Sequence, residues 1–173
     1  MRSRRKPGLG AIALLFVAGA LLVWGCPGAE EGGGKRSTPA RATSAEVERV
    51  VDGDTIEVSI DGATEDVRYI GIDTPESVTP GEPVECFGRR ASAFNERLVA
   101  GRTVRLRFDR ERRDDYGRLL AYVYAGPRLV NAELVRQGYA RTLTIAPNDS
   151  RAPLFDRLER EAASAGRGLW GSC

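Results

Sequence analysis

EVERVVDGDTIEVSI, residues 46–60, alternates apolar and polar side chains, is rich in Val and Ile, and is interrupted by an Asp52-Gly53 turn signal. That pattern predicts two half-buried strands joined tightly. Asp61-Gly62 is a second turn signal, and VRYIGI at residues 67–72 reads as a third strand. If Asp61-Gly62 is the tip of a hairpin, paired residues have numbers summing to about 123, so Asp54 faces Tyr69. Asp73 falls one or two rungs beyond. Antiparallel neighbours lie about 5 Å apart, which brings both carboxylates to one end of the hairpin. In a regular strand Arg68 shares parity with Ile70 and Ile72 and projects from an apolar face, where a guanidinium is costly unless an anion meets it.

Working outward, residues 77–83 hold two prolines and a glycine and read as a surface loop. Phe87 to Val99 has helical spacing in Ala91, Phe94 and Leu98, with Gly101 as a stop. Residues 103–108 and 119–124 read as strands, and Val130 to Arg136 as a short helix stopped by Gly138. A final strand is expected over 139–145, then a helix capped by Asp149 or Ser150 and running to about Ala165. The order β-β-β-α-β-β-α-β-α has few parallel-crossover signals. It predicts an α+β, mainly β chain: a five-stranded OB-type barrel with about three helices packed around it.

The 173 residues suit one domain, but residues 1–25 read as a signal segment outside it. Arg2, Arg4, Arg5 and Lys6 form a basic head, and Leu9 to Val23 is apolar without a charge. At about 15 residues this run is short for a membrane span and suits a secretory signal. Gly25 before Cys26 resembles the lipobox of bacterial lipoproteins, in which that cysteine is acylated and becomes the mature N-terminus. Trp24 is bulky for that motif, and cleavage without lipidation is the other reading. Either route exports the protein, to the cell envelope on an N-terminal lipid anchor or as a secreted product. Residues 26–43 read as a flexible tether with Gly32-Gly33-Gly34 inside it, and residues 44–173 as the folded domain.

Loss of the four head cations changes 26 basic and 24 acidic residues to 22 against 24. A polyanion is then not held by bulk charge, and any phosphate grip must come from local arginines. With Cys26 assigned to lipid, Cys86 and Cys173 are an even pair in an oxidising compartment. They are a candidate disulfide, with two unpaired thiols as the alternative. The chain has no histidine, which removes imidazole bases, His triads and HExxH zinc sites. The base of any hydrolytic site must be a carboxylate or, failing that, a Lys or Tyr.

Three segments have the chemical content such a site needs: DGDT (52–55), RYIGIDTPE (68–76) and DYGR (115–118). Alone, each reads blandly, as a turn, a strand exit and a solvated strand end. Together they offer Asp54, Asp73 and a backbone carbonyl as oxygen ligands for Ca²⁺ or Mg²⁺. Phosphodiester hydrolysis needs a base for water and positive charge where negative charge builds on phosphorus. Glu76 fits the first role, and Arg68, Arg118 and the cation fit the second. Arg110 to Asp115 is six consecutive charged residues and reads as a solvated loop. Arg105 and Arg107 read as the exposed face of a strand, and Trp170 as a packing anchor for the C-terminus.

These segments, with NAELVRQG (131–138) and GLW (168–170), resemble the staphylococcal nuclease family from about Ala45 to Trp170. The resemblance implies an OB-fold endonuclease that uses Ca²⁺ to cut DNA and RNA, leaving 3′-phosphates, and it is expected to act as a monomer. It implies catalytic roles for Arg68, Glu76 and Arg118, with the metal held by Asp54, Asp73 and the Thr74 carbonyl and Tyr116 available to stack on a nucleotide. Two positions depart from the family's best-studied form. Asp115 stands where a lysine contacts a terminal phosphate, and Leu143 or Thr144 stands near a second stacking tyrosine. A non-catalytic OB module binding nucleic acid or an envelope partner is the alternative function.

Overall fold

The computed structural model describes residues 42–77 and 84–173. The signal segment, Cys26, the tether up to residue 41 and residues 78–83 of the proline-rich loop lie outside the described residues. Eight strands and four helices follow in order: β1 (Thr43–Asp52), β2 (Thr55–Ile60), β3 (Ala63–Tyr69), β4 (Gly71–Asp73), α1 (Gly88–Val99), β5 (Thr103–Arg107), β6 (Leu119–Ala125), β7 (Arg128–Leu129), α2 (Val130–Arg136), β8 (Arg141–Leu143), α3 (Ala152–Ser164) and α4 (Leu169–Ser172).

Alternation along the strands puts Ile56, Val58, Val67, Tyr69, Val104, Leu106 and Val123 on one interior. Burying each such side chain is worth about 1.5–3 kcal/mol. Strand order is β3-β2-β1-β5-β6-β7, and a parallel β3–β6 pairing closes β1, β2, β3, β5 and β6 into a barrel. This is the mainly β, OB-type architecture the pattern predicts. The β2–β3 register runs from Thr55↔Arg68 to Ile60↔Ala63, and Tyr69 N–H donates to Asp54 O at 2.9 Å, so the hairpin arithmetic holds.

The third strand is not regular, which overturns the expected setting of Arg68. Val67 and Tyr69 fill the barrel, so Arg68 between them faces outward. The ladder then breaks: Ile70 N–H donates to Ala121 O at 3.0 Å, and Gly71 takes φ +79°. A Cβ at Gly71 would lie 2.6 Å from the Phe155 ring, so glycine is required both by conformation and by space. After the break Ile70 and Ile72 are buried again, so the regular alternation of the strand ends at Tyr69. The buried Asn131 at the start of α2 holds the break. Its Oδ1 accepts from Val123 N–H at 2.9 Å and its Nδ2 donates to Ile70 O at 3.0 Å.

Other expectations shift near the C-terminus. The last strand is only three residues, β8, and it pairs with β4 outside the barrel. Neither Asp149 nor Ser150 caps α3. Arg151 is the N-cap, without a side-chain hydrogen bond, because the Ser150 hydroxyl is turned toward Tyr122 (3.3 Å) and its N–H toward Asp109 (3.0 Å). The short α4 was not foreseen. It ends at Cys173, whose sulfur is bonded to Cys86 with Cα atoms 6.0 Å apart.

Candidate active site

The site grows from the two turns at the mouth of the barrel. Asp54 follows Gly53, at the exit of the β1–β2 turn, and is 5% exposed. Its Oδ2 accepts from Thr74 N–H (2.7 Å) and Thr74 Oγ1 (2.9 Å), and its Oδ1 accepts from Thr55 Oγ1 (3.1 Å). A Cβ at Gly53 would stand 2.6 Å from Thr74 Oγ1, so the turn carries glycine because Thr74 packs directly on it. Arg68 reaches the same carboxylate: Nη1 lies 2.6 Å from Asp54 Oδ2, and Nη2 lies 2.7 Å from Asp73 Oδ1. Nη1 also donates to Ile72 O at 3.2 Å. Arg68, Asp54, Asp73 and Thr74 thus form one bonded group.

Glu76 lies next to this group in a carboxylate network. Its Oε1 accepts from Ser77 N–H at 3.0 Å, and its own N–H donates to Glu85 Oε2 at 3.0 Å. Ser77 Oγ donates to Asp52 Oδ1 at 2.6 Å. Burial, helped by a hydrogen bond with Glu76 and the nearby charge of Asp54, pushes the Asp52 carboxyl up to about 6 against the donors Ser77 and Gly53. Burial also raises Asp73, with Asp54 and Glu85 adding to it and Arg68 opposing. Asp54 and Asp73 flank the Arg68 guanidinium, Asp52 and Glu85 interact with these two, and repulsion among the carboxylates favours positive charge here. Among the described residues no three or more His, Cys, Asp or Glu side chains form a preformed cage. The donors are carboxylate oxygens, which fit a hard cation retaining many waters.

Arg118 is positioned from the other side. Its Nε donates to Asp114 Oδ2 at 2.7 Å and its N–H to Asp114 Oδ1 at 2.9 Å. Its guanidinium carbon sits 5.5 Å from the centroid of the Tyr116 ring, which is 86% exposed. The charged run before it is more than a solvated loop. Arg113 pairs with both oxygens of Glu65 at 2.7 and 2.8 Å, and Asn148 exchanges hydrogen bonds with the Glu111 backbone. A cleft of about 390 Å³ joins the two arginines. Arg68 and Arg118 line it with Tyr116, Leu143 and Ile145, while Glu111, Asp114 and Asp115 supply its acidic part.

Order of segments, barrel topology and this cluster agree with the comparisons. A family described as Staphylococcal nuclease homologue matches residues 66–172. The chain is 43% identical to a thermonuclease of Staphylococcus intermedius over 136 residues, 79% of this chain and 81% of that protein. It is 35% identical to a thermonuclease of Staphylococcus hyicus over 162 residues, 92% of this chain and 96% of that one. An SPbeta prophage-derived endonuclease of Bacillus subtilis is 42% identical over 126 residues, 72% of this chain and 43% of that longer protein.

The chain belongs to the staphylococcal nuclease family. Its cleft has aliphatic Leu143 and Ile145 in the wall, 40% and 64% exposed. Of the residues singled out from sequence, Arg68, Asp54, Asp73 and Thr74 meet directly, and Glu76 joins them through Ser77 and Asp52. Tyr116 and Arg118 meet each other on one turn in the wall of the cleft. From sequence Asp52 read only as part of a turn and Asn131 only as part of the family resemblance, and Asn95 was not singled out. Asn95 is fully buried, accepting from Tyr69 OH (3.0 Å) and donating to Asp52 O (3.2 Å). An asparagine inside the apolar spacing of a helix was the available signal.

Proposed function

We propose that the chain is a calcium-dependent endonuclease that hydrolyses phosphodiester bonds of DNA and RNA. That it is a hydrolase of the nuclease type follows from its family and from the thermonucleases it matches over most of its length. The observation that carries the finer reading is the single bonded group of Arg68, Asp54, Asp73 and Thr74 beside Glu76, opening on a cleft that also holds Arg118.

In this reading Glu76 takes a proton from water, and Arg68 and Arg118 hold the oxygens of the phosphorane-like transition state as charge builds there. Asp54, Asp73 and the Thr74 carbonyl would hold Ca²⁺, which supplies further positive charge at the phosphate. Arg68 pairs with the Asp54 and Asp73 carboxylates, the same groups that would hold the cation, so its guanidinium sits where the phosphate and the metal would meet. Tyr116 offers a face for a base. The enzyme acts as an exported monomer, either secreted or anchored through an acylated Cys26.

Digestion of DNA and RNA by the full chain, with Ca²⁺ and with a chelator, tests this. Cutting is expected with Ca²⁺ and loss of at least a hundredfold in rate in chelator. Undiminished cutting in chelator would remove the metal from the reading. Tight DNA binding without cleavage at any Ca²⁺ concentration would make the chain a binding module.

A further inference from the structure

The β4–β8 ladder has two unlike faces. One carries Ile72, which is buried, and Thr142, whose N–H and hydroxyl donate to Glu159 of α3 at 3.0 and 2.7 Å. The other carries Asp73, Arg141 and Leu143, all exposed. Leu143 lines the cleft that contains Arg68 and Arg118. Side chains two residues apart on a strand point the same way, so Arg141 stands on the same side of the ladder as Leu143, next to the cleft rather than in its wall. It is the direct cross-strand partner of Asp73, and such partners have Cβ atoms about 5 Å apart.

Charge pairing alone would turn Arg141 onto Asp73, but Arg68 takes that carboxylate. Arg141 lies instead with its guanidinium carbon 4.4 Å from the centroid of the Trp170 ring. Among the described residues no carboxylate comes within ion-pair distance of it. An arginine stacked on an indole has its plane fixed and its N–H edge still open to an anion. Trp170 is fixed in turn, because α4 ends at the Cys86–Cys173 disulfide. An exposed, ordered cation without a counter-ion, across the strand from Asp73 and two residues from the cleft-lining Leu143, is suited to a phosphate oxygen.

We propose that Arg141 is a substrate-positioning residue that binds a backbone phosphate next to the scissile one, with Trp170 holding its guanidinium in place. This rests on the nuclease reading above and extends the grip on the strand beyond Arg68 and Arg118. Phosphate contacts position a strand without reading its sequence, so the contribution is the same for any base.

The test is steady-state cleavage of a single-stranded oligodeoxynucleotide by the full chain, its Arg141→Ala and Arg141→Lys variants and Trp170→Leu, at several salt concentrations. For Arg141→Ala, KM should rise about tenfold with kcat within about twofold, and the slope of log KM against log salt should fall by about 0.7, the value for one phosphate contact on a single strand. Arg141→Lys should keep the wild-type salt slope, since the charge remains. Trp170→Leu should raise KM while keeping the slope. A purely structural Arg141 would instead lower the melting temperature of the alanine variant and leave the slope at its wild-type value, which overturns the proposal. Wild-type cleavage with an unchanged KM in Arg141→Ala overturns it alone. Absence of cleavage by the wild-type chain overturns the nuclease reading and this proposal together.

Discussion

Glu76 and Arg118 are held differently, and the difference sets what their loss should do. Glu76 accepts Ser77 N–H and shares a hydrogen bond with Asp52. A glutamine there keeps the shape and an acceptor oxygen but cannot take a proton, so Glu76→Gln should lower kcat about a thousandfold. Arg118→Ala removes a cation from the phosphate side of the cleft and should cost about a hundred- to a thousandfold in kcat. Single-turnover cleavage with melting curves checks both, and wild-type rates in both variants would refute the catalytic assignments. These two residues were legible because DTPE and YGR are short, ordered motifs. Asp52, Asn95 and Arg141 were not, because each owes its role to a partner outside its own segment: Ser77, Tyr69 and Trp170. No local pattern encodes such a partner.

Among the elements, the break between β3 and β4 has the largest effect on the site. Alternation within β3 already turns Arg68 out of the barrel, and the break after Tyr69 then presents Asp73 beside it. Asn131 ties that break to β6 and α2 by bonds to Ile70 O and Val123 N–H. Asn131→Leu has similar volume but leaves a buried donor and acceptor unpaired, so it should destabilise the fold by about 2–4 kcal/mol. Urea unfolding followed by far-UV circular dichroism measures this, and a midpoint equal to wild type would refute the role. Strand alternation and turn residues made β1, β2, β5, β6, α1 and α2 readable from the chain. The three-residue strands β4 and β8 carry too little pattern, and the parallel closure of β3 on β6 leaves no mark in either strand's own sequence.

For the whole molecule, the Cys86–Cys173 bond closes a loop of sequence separation 87 that contains all four helices and two of the five barrel strands, β5 and β6. By loss of unfolded-chain entropy such a crosslink stabilises by about 2–5 kcal/mol. The double variant Cys86→Ser, Cys173→Ser should therefore lower the urea midpoint clearly while keeping the native circular dichroism spectrum. An unchanged midpoint would mean the bond contributes nothing. What the sequence determined by itself is the set of main strands and the face each one buries, since a period of two in side-chain polarity dictates it. It also determined the inventory of the site, since without histidine the chemistry falls to carboxylates and arginines. Only the tertiary structure decided who meets whom: Arg68 with Asp54 and Asp73, Asp52 with Ser77, and Arg141 with Trp170 beside Asp73. The reason is that these are through-space contacts between segments far apart in the chain, made by the barrel's closure and by a single glycine break rather than by any local preference.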